Sequence, residues 1–301
     1  MVKINEPNFM CIGAAKSATT SLFEIFRQHP LISTPFFKEP HFFDNSKNYQ
    51  KGKKWYLKNY FTNIDSAQVI GEFTPTYLSS LASPKRILET FGPKIKFVAI
   101  LRNPIDRAYS HYLHTKRDEH EALGFIDALL SENDRLTQFC KIEDEVSFSR
   151  FSYIYQGQYA QHINNYLNYF SIKQFHFVLF NDFINKREET IQSILSFLGI
   201  DNNYELDINI TSNKSSIARS KSLKRFIKND SIIKRAAKWI IPSLVFRQKI
   251  RNLIHASNNK TQAKTPLSED ERKLVYDKFF EQEIIMLEKM LNLNLNHWKE
   301  C

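Results

Sequence analysis

The sequence predicts an α/β fold of three layers, in which a central parallel sheet is flanked by helices and a helical extension follows at the C-terminus. Short apolar runs alternate with longer amphipathic segments, which is typical of a parallel sheet covered on both faces. The 301 residues contain no internal repeat and no linker rich in glycine, proline or serine. With 42% hydrophobic residues the chain can fill a sizeable core, so we expect a single domain over residues 1–301.

Four apolar runs predict the strands of the sheet, at residues 8–13, 69–73, 96–101 and 175–180. Segments with helical periodicity predict helices between and after them, at residues 19–28, 51–60, 84–91, 104–117, 155–169 and 187–198. A terminal helix is predicted at about 268–291, where apolar residues such as Leu274, Ile284, Ile285 and Leu287 indicate a face that packs on the core.

The turn after the first predicted strand has the pattern of a phosphate-binding loop. Its small residues let the backbone approach an anion closely, and the first amides of the following helix point at the anion with the positive end of the helix dipole behind them. Lys16 adds a positive charge to this loop. The fold is therefore P-loop-like, and the candidate anion-binding residues are Gly13, Ala15, Lys16, Ser17, Ala18, Thr19, Thr20 and Ser21.

The spacing of this loop differs from that of magnesium-dependent ATPases and GTPases. Their motif places Gly-Lys-Ser/Thr after four spacer residues from the first glycine, whereas Lys16 follows Gly13 by three residues. An ordinary ATPase or GTPase is therefore disfavoured. A P-loop-type kinase that uses ATP is the alternative function. The alternative without a ligand is that the segment is only a buried strand followed by a capped helix.

A second anion site is predicted where the strand 96–101 ends. Arg102 comes directly after this strand, at the edge where open α/β sheets bind ligands. Pro104 suits the first turn of the following helix because proline has no amide hydrogen to leave unpaired there. Ser110 lies two helical turns after Arg102. Arg102 and Ser110 are therefore candidates for binding a second phosphate.

Glu72 is the candidate general base, because it lies at the end of the strand 69–73, just before Pro75 interrupts regular structure. A carboxylate at a strand end faces the ligand crevice. The alternative is an ion pair of Glu72 with Lys16 or an arginine, since structural ion pairs also place acids in clefts.

These motifs, with others in the same order along the chain, resemble the sulfotransferase superfamily that uses 3′-phosphoadenosine 5′-phosphosulfate (PAPS). Within it, the chain is similar to heparan sulfate sulfotransferases and their bacterial carbohydrate-sulfating relatives. The resemblance covers nearly the whole chain and closes near Trp298. It implies transfer of a sulfuryl group to a hydroxyl or amine of a glycan, glycolipid or small molecule, without a metal. The segments that carry it are 13–21, 38–44, 71–77, 101–110, 157–162, 175–180 and 196–200.

The resemblance also assigns roles to the candidate residues. It implies that Lys16 stabilises the bridging oxygen of PAPS as the S–O bond breaks, that the loop binds the 5′-phosphate, and that Arg102 and Ser110 bind the 3′-phosphate. Glu72 aligns with a base that deprotonates the acceptor. Heparan-type members commonly have a lysine after this glutamate, whereas Phe73 stands here, which puts a highly anionic acceptor in doubt.

Three further site residues follow from the resemblance. His162 matches a histidine that lines the active site of N-sulfotransferase relatives and is the third catalytic candidate after Glu72 and Lys16. Lys38 and His41 are substrate-binding candidates, with Lys38 placed near the reacting sulfate. For both histidines a structural role is the alternative, because imidazole serves either purpose.

Residues 213–255 hold the excess positive charge of a chain whose net charge is +10. Between Lys214 and Arg251 there are twelve lysines and arginines and one acidic residue. Relatives place a basic loop over the nucleotide here, which makes Arg219 a candidate for the 3′-phosphate. The basic and apolar residues of 221–251 suggest contact with an anionic membrane, with an ordinary solvated helix as the alternative. A nucleic-acid-binding protein also carries such stretches, but two anion sites at strand ends favour an enzyme, so we expect no nucleic-acid partner.

The sequence also allows an expectation about location. Residues 1–9 resemble neither a signal peptide nor an anchor, and no later apolar run is long enough to span a bilayer. The three cysteines have no metal-like spacing, and we expect no disulfide framework. We therefore expect a cytoplasmic, bacterial protein, peripheral at the inner membrane surface if the basic region binds lipid.

Overall fold

A computed structural model describes residues 6–61, 67–200, 204–210, 216–218, 259–261 and 266–300. The chain divides into two compact units, the first made of residues 1–210 and 267–301 and the second of residues 211–266. The first unit contains a five-stranded sheet and the candidate site. In the second unit, the described residues form two short antiparallel strands.

The sheet of the first unit is parallel throughout. Its strands are β1 (Phe9–Gly13), β2 (Ile32–Ser33), β3 (Val69–Phe73), β4 (Lys96–Leu101) and β5 (Phe175–Leu179), in the spatial order β2-β3-β1-β4-β5. Every residue of β1 is buried, as expected for a central strand covered on both faces. The carboxyl ends of β3, β1 and β4 therefore lie side by side, at the edge where such sheets bind ligands.

Helices cover both faces of this sheet, which confirms the predicted three-layer fold. One core region contains Phe9 and Cys11, which pack with residues of the first helix. The other contains Met10 and Ile12, because successive side chains of a strand point to opposite faces. The helices are α1 (Thr19–Phe26), α2 (Ser46–Tyr49), α3 (Gly52–Tyr60), α4 (Ser83–Phe91), α5 (Pro104–Arg117), α6 (Phe125–Leu130), α7 (Glu132–Lys141), α8 (Glu145–Phe151), α9 (Tyr159–Leu167), α10 (Phe180–Asn185) and α11 (Arg187–Leu198).

The C-terminal helix differs from its prediction. It consists of α12 (Glu269–Val275), a π-helical turn (Tyr276–Phe280) and α13 (Glu281–Leu291), and a short α14 (Asn296–Lys299) follows. Leu274 and Ile285 are exposed, so their prediction as core residues is wrong. A π-helical turn changes the phase of a helix, so one apolar face does not continue through both halves. Ile284 and Leu287, which belong to the same prediction, are buried.

The second unit contains β6 (Ser216–Ala218) and β7 (Asn259–Thr261), which pair antiparallel with Ser216 opposite Thr261. Arg219 and the proposed membrane-binding stretch 221–251 lie outside the described residues. Among the helices that the structure describes, none is long and apolar enough to cross a membrane.

Candidate active site

The loop between β1 and α1 has the backbone of an anion cradle. Lys16 and Ala18 adopt left-handed conformations, with φ of 71° and 59°, which are uncommon for residues other than glycine. Alternation of this kind turns successive amides toward one concave side. Ser17 is fully buried and its amide donates to the Ala14 carbonyl at 3.2 Å, so it supports the loop from inside.

Helix α1 begins at this loop without a side-chain cap and without an acidic residue in its first turn. Its first amides, at Thr19 and Thr20, have no acceptor inside the helix. Together with the positive end of the helix dipole they attract an anion. The predicted loop residues thus surround one concave, positively polarised surface.

Arg102 lies next to this cradle, because β4 is a neighbour of β1 in the sheet. Its Nη1 donates to the Lys16 carbonyl at 3.0 Å, and its guanidinium lies 4.7 Å from the centre of the Phe180 ring. These two contacts orient the side chain before any ligand binds. The structure therefore brings the two predicted anion sites together.

Helix α5 forms one wall of the same region. Ser110 is buried on this helix, and His111 follows it. The pKa of His111 lies well below its usual range, first because of burial and then because of the positive charges of Arg107 and Lys16. Lys16 therefore lies close enough to α5 for its charge to lower the pKa of His111, the neighbour of Ser110.

The segment Lys38–Asp44 packs against the start of α1 through charged side chains. Lys38 Nζ donates to Thr19 Oγ1 at 3.2 Å and lies 2.6 Å from Glu39 Oε1. His41 Nδ1 lies 2.9 Å from Asp44 Oδ2, which also accepts the Thr76 hydroxyl at 2.5 Å. Lys38 and His41, both predicted to bind substrate, thus belong to one network beside the cradle.

Electrostatics keeps the middle of this network charged. Burial disfavours the imidazolium of His41, but the carboxylates of Asp44 and Glu39 outweigh it and raise the pKa of His41 to about 10. Burial likewise disfavours the carboxylate of Glu39, yet His41 and Lys38 lower its pKa to about 2. At neutral pH the segment therefore presents alternating charges, and 39% of the Glu39 side chain is exposed.

Glu72 lies behind this segment. It is completely buried on β3, and its Oε1 accepts the Thr74 hydroxyl at 2.5 Å. Within the described residues, its Oε2 has no hydrogen-bond partner. Burial raises the pKa of Glu72 to about 8; the Thr74 hydrogen bond opposes this shift and the charge of Asp44 adds to it. At neutral pH the carboxyl is mostly protonated.

Tyr77 connects the surroundings of Glu72 to the charged segment. Its hydroxyl accepts the backbone amides of Phe42 and Phe43 at 3.0 and 3.3 Å. The charge of Glu72 contributes, after burial, to a pKa of Tyr77 well above its usual value, which places the two side chains close together. The position of the segment thus depends on a buried tyrosine.

His162 lies in a different environment. It is buried on α9, its Nε2 is 2.7 Å from the Tyr155 carbonyl, and the two rings are 4.7 Å apart. Burial lowers the pKa of His162 to about 4; the Tyr155 carbonyl opposes this shift and the charge of Arg107 adds to it. The ring is therefore neutral at pH 7, and its catalytic role stays a prediction.

Three residues of the network escaped the sequence predictions: Glu39, Asp44 and Thr76. A signal for two of them was present, because Glu39 and Asp44 flank His41 within the same short segment. Thr76 could not be recognised, since its contact with Asp44 joins residues that are 32 positions apart.

Comparison with known proteins decides the family. A family model described as "Sulfotransferase domain" matches residues 6–243. The chain belongs to the sulfotransferase family. The matched range contains every candidate site residue from Gly13 to Arg219, and the resemblance predicted from the motifs is confirmed.

Similar proteins include two vertebrate enzymes. Human heparan sulfate glucosamine 3-O-sulfotransferase 6 is 29% identical over 198 residues, which are 64% of this chain and 52% of that protein. Mouse bifunctional heparan sulfate N-deacetylase/N-sulfotransferase 4 is 32% identical over 208 residues, which are 66% of this chain and 23% of that protein. This sulfotransferase-family chain thus aligns with about half or less of the length of these relatives.

The solved structure of a sulfotransferase from Alicyclobacillus acidocaldarius has the same fold. It matches with a TM-score of 0.69 and 22% sequence identity, over 98% of this chain and 100% of that one. At this level of identity the similarity concerns the fold alone.

Proposed function

We propose that this sulfotransferase-family chain transfers the sulfuryl group of PAPS to a hydroxyl or amine of an acceptor, with a glycan as the preferred acceptor class. The proposal rests on one observation. The guanidinium of Arg102 donates a hydrogen bond to the carbonyl of Lys16 at 3.0 Å, so the two candidate anion sites are adjacent. A donor with phosphates at its 5′ and 3′ positions needs two adjacent anion sites. Family membership favours this reaction over the alternative of a P-loop-type kinase.

The residues present fit such a donor. The cradle at Lys16–Ala18 and the first amides of α1 would bind the 5′-phosphosulfate, while Arg102 and Ser110 would bind the 3′-phosphate. During transfer the S–O bond to the 5′-phosphate breaks and a bond from sulfur to the acceptor oxygen or nitrogen forms. The ammonium of Lys16 would offset the negative charge that collects on the departing phosphate.

The proton of the acceptor needs a base, and two carboxyls are candidates. Glu72 is the residue predicted from the sequence, and its pKa of about 8 is close to the working pH, which favours proton transfer. Its complete burial requires an opening before an acceptor can reach it. Glu39 is ionised and 39% exposed beside Lys38. Accessibility therefore favours Glu39, because a base must come within hydrogen-bond reach of the proton.

Glycan acceptors are proposed from the relatives and from the charged segment. Two relatives are described as acting on heparan sulfate, and Lys38 and His41 supply positive groups beside the cradle. The lysine that often follows the family glutamate is replaced by Phe73, so a less anionic glycan or a glycolipid is the first acceptor to test. Small-molecule acceptors form the second group.

The donor is tested by calorimetry with 3′-phosphoadenosine 5′-phosphate (PAP) without metal, and with ATP and magnesium. We expect PAP to bind without metal and Lys16→Ala to weaken it by about 10-fold or more, since a charge-assisted contact is lost. Lys85→Ala is the matched control, because Lys85 is exposed on α4 and pairs with Glu89. Preference for ATP with magnesium would instead indicate the kinase.

The base is tested by comparing Glu72→Gln with Glu39→Gln. The variant that removes the base should keep PAP affinity and lose transfer by orders of magnitude. The other should retain substantial turnover. Near-normal turnover in both variants would show that neither carboxyl is the base.

Membrane contact through 221–251 and a cytoplasmic location at the inner membrane surface are part of the same proposal. Their support is the basic and apolar composition of that stretch. Co-sedimentation with vesicles containing phosphatidylserine tests it. Salt-sensitive binding is expected, and its absence would remove the membrane from the proposal.

A further inference from the structure

An arginine of the C-terminal helices is paired with a residue of α5 that lies one helical turn from Ser110. Arg272, on α12, places Nη2 2.5 Å from Oδ1 of Asp106, in the first turn of α5. Asp106 and Ser110 are four residues apart and therefore lie on the same face of α5, one turn from each other. Arg272 is thus anchored one helical turn from the serine that is proposed to bind phosphate.

Two electrostatic effects support this placement. The charge of Glu271, the neighbour of Arg272, adds to burial in raising the pKa of Tyr109 on α5. The pKa of Arg102 is lowered by burial; the charge of Asp106 opposes this shift and the charge of Arg272 adds to it. Helix α12 therefore lies close to α5, and Arg272 is near enough to Arg102 for its charge to lower the pKa of that guanidinium.

The carboxylate of Asp106 explains why binding a phosphate near α5 needs a second arginine. A carboxylate close to a phosphate dianion repels it, and a nearby opposite charge removes this repulsion. Arg272 and Asp106 have side chains that are 24% and 37% exposed, respectively, so a ligand can reach them. A guanidinium has five N–H donors in a planar fork, and the Asp106 contact is made through Nη2.

We infer that Arg272 is a specificity-determining residue that makes the site select nucleotides with a 3′-phosphate. It does so by neutralising Asp106 and by presenting a second guanidinium opposite Arg102. The inference rests on the proposed function, in which the donor is PAPS. Sequence reasoning missed Arg272 because it stands 166 positions after Asp106.

Calorimetry with PAP and with adenosine 5′-monophosphate (AMP), which lacks the 3′-phosphate, tests this inference. The wild type should prefer PAP. Arg272→Gln should weaken PAP by about 10- to 100-fold, the range for a lost charged hydrogen bond, and leave AMP unchanged. Lys273→Ala is the matched control, since Lys273 lies on the same helix and pairs with Asp277; it should leave both affinities unchanged.

The outcomes separate the two levels of the proposal. If Arg272→Gln weakens PAP and AMP by the same factor, Arg272 is structural and the inference fails. An unchanged preference for PAP also overturns it. If the wild type itself does not prefer PAP to AMP, the proposed donor fails instead. Should Arg272→Gln not fold, Arg272→Lys is used, and a preference for PAP as strong as that of the wild type would overturn the role of the guanidinium fork.

Discussion

Replacing Glu72 by glutamine should change how the stability of the protein depends on pH. Glu72 is completely buried, and its pKa in the folded protein is about 8, compared with 4.5 for an ordinary glutamate. Between these two values the folded state holds a proton that the unfolded state has released. Stability must therefore fall as the pH rises through this window. Glutamine does not titrate in this pH range, so the Glu72→Gln variant lacks this contribution.

The size of the effect follows from the two pKa values. Each pKa unit corresponds to about 1.4 kcal/mol, so the loss of stability from Glu72 between pH 5 and pH 8 is about 3–4 kcal/mol. Other buried carboxyls, such as Glu132 and Glu283 with pKa values of about 7, add to the slope of the wild type. They are present in both proteins and cancel in the difference.

Urea denaturation of the wild type and Glu72→Gln at pH 5, 6, 7 and 8 measures this difference. Between pH 5 and pH 8 the variant should gain about 3–4 kcal/mol of stability relative to the wild type. Glu89→Gln is the matched control, because Glu89 is exposed on α4, and its difference from the wild type should not change with pH. If the free energies of unfolding of the wild type and Glu72→Gln change in parallel with pH, the conclusion that burial raises the pKa of Glu72 is refuted.

Further predictions concern catalysis and the charged segment. If Glu72 is the base, the transfer rate of the wild type should rise up to about pH 8, whereas Glu39 as the base should give a rate that is already level above about pH 4; rates across pH 5–9 distinguish them. Tyr77→Phe removes the acceptor of two buried amides and should cost about 2–3 kcal/mol in urea denaturation. The same variant should lower turnover more than PAP affinity, and unchanged turnover would mean that Tyr77 does not position the segment.

The main strands could be predicted because their residues are apolar and buried. The runs of β1 and β4 give a clear signal, and the structure confirms both. Strand β2 has two residues, too few for periodicity. Helices α6, α7 and α8 were not predicted, and α8 buries none of its residues, so an apolar face was not there to be recognised.

The candidate site could be predicted only in part. The cradle and Arg102 each follow a strand, but their contact depends on β1 and β4 being neighbours, which the sequence does not specify. Glu39 and His41 have positive φ values of 64° and 48°, conformations that residues other than glycine adopt when surrounding structure imposes them. The approach of Arg272 likewise depends on the packing of distant helices.

The way in which the segment Lys38–Asp44 is attached has a consequence for evolution and for redesign. Its backbone is fixed by the Glu39 amide, which donates to the Phe73 carbonyl at 3.0 Å, and by the hydroxyl of Tyr77. Neither contact uses a side chain of the segment itself. A change of side chain within the segment therefore leaves these two anchors of the main chain in place. If the segment binds the acceptor as proposed, changes confined to it would alter the choice of acceptor and leave the anion cradle between β1 and α1 unchanged.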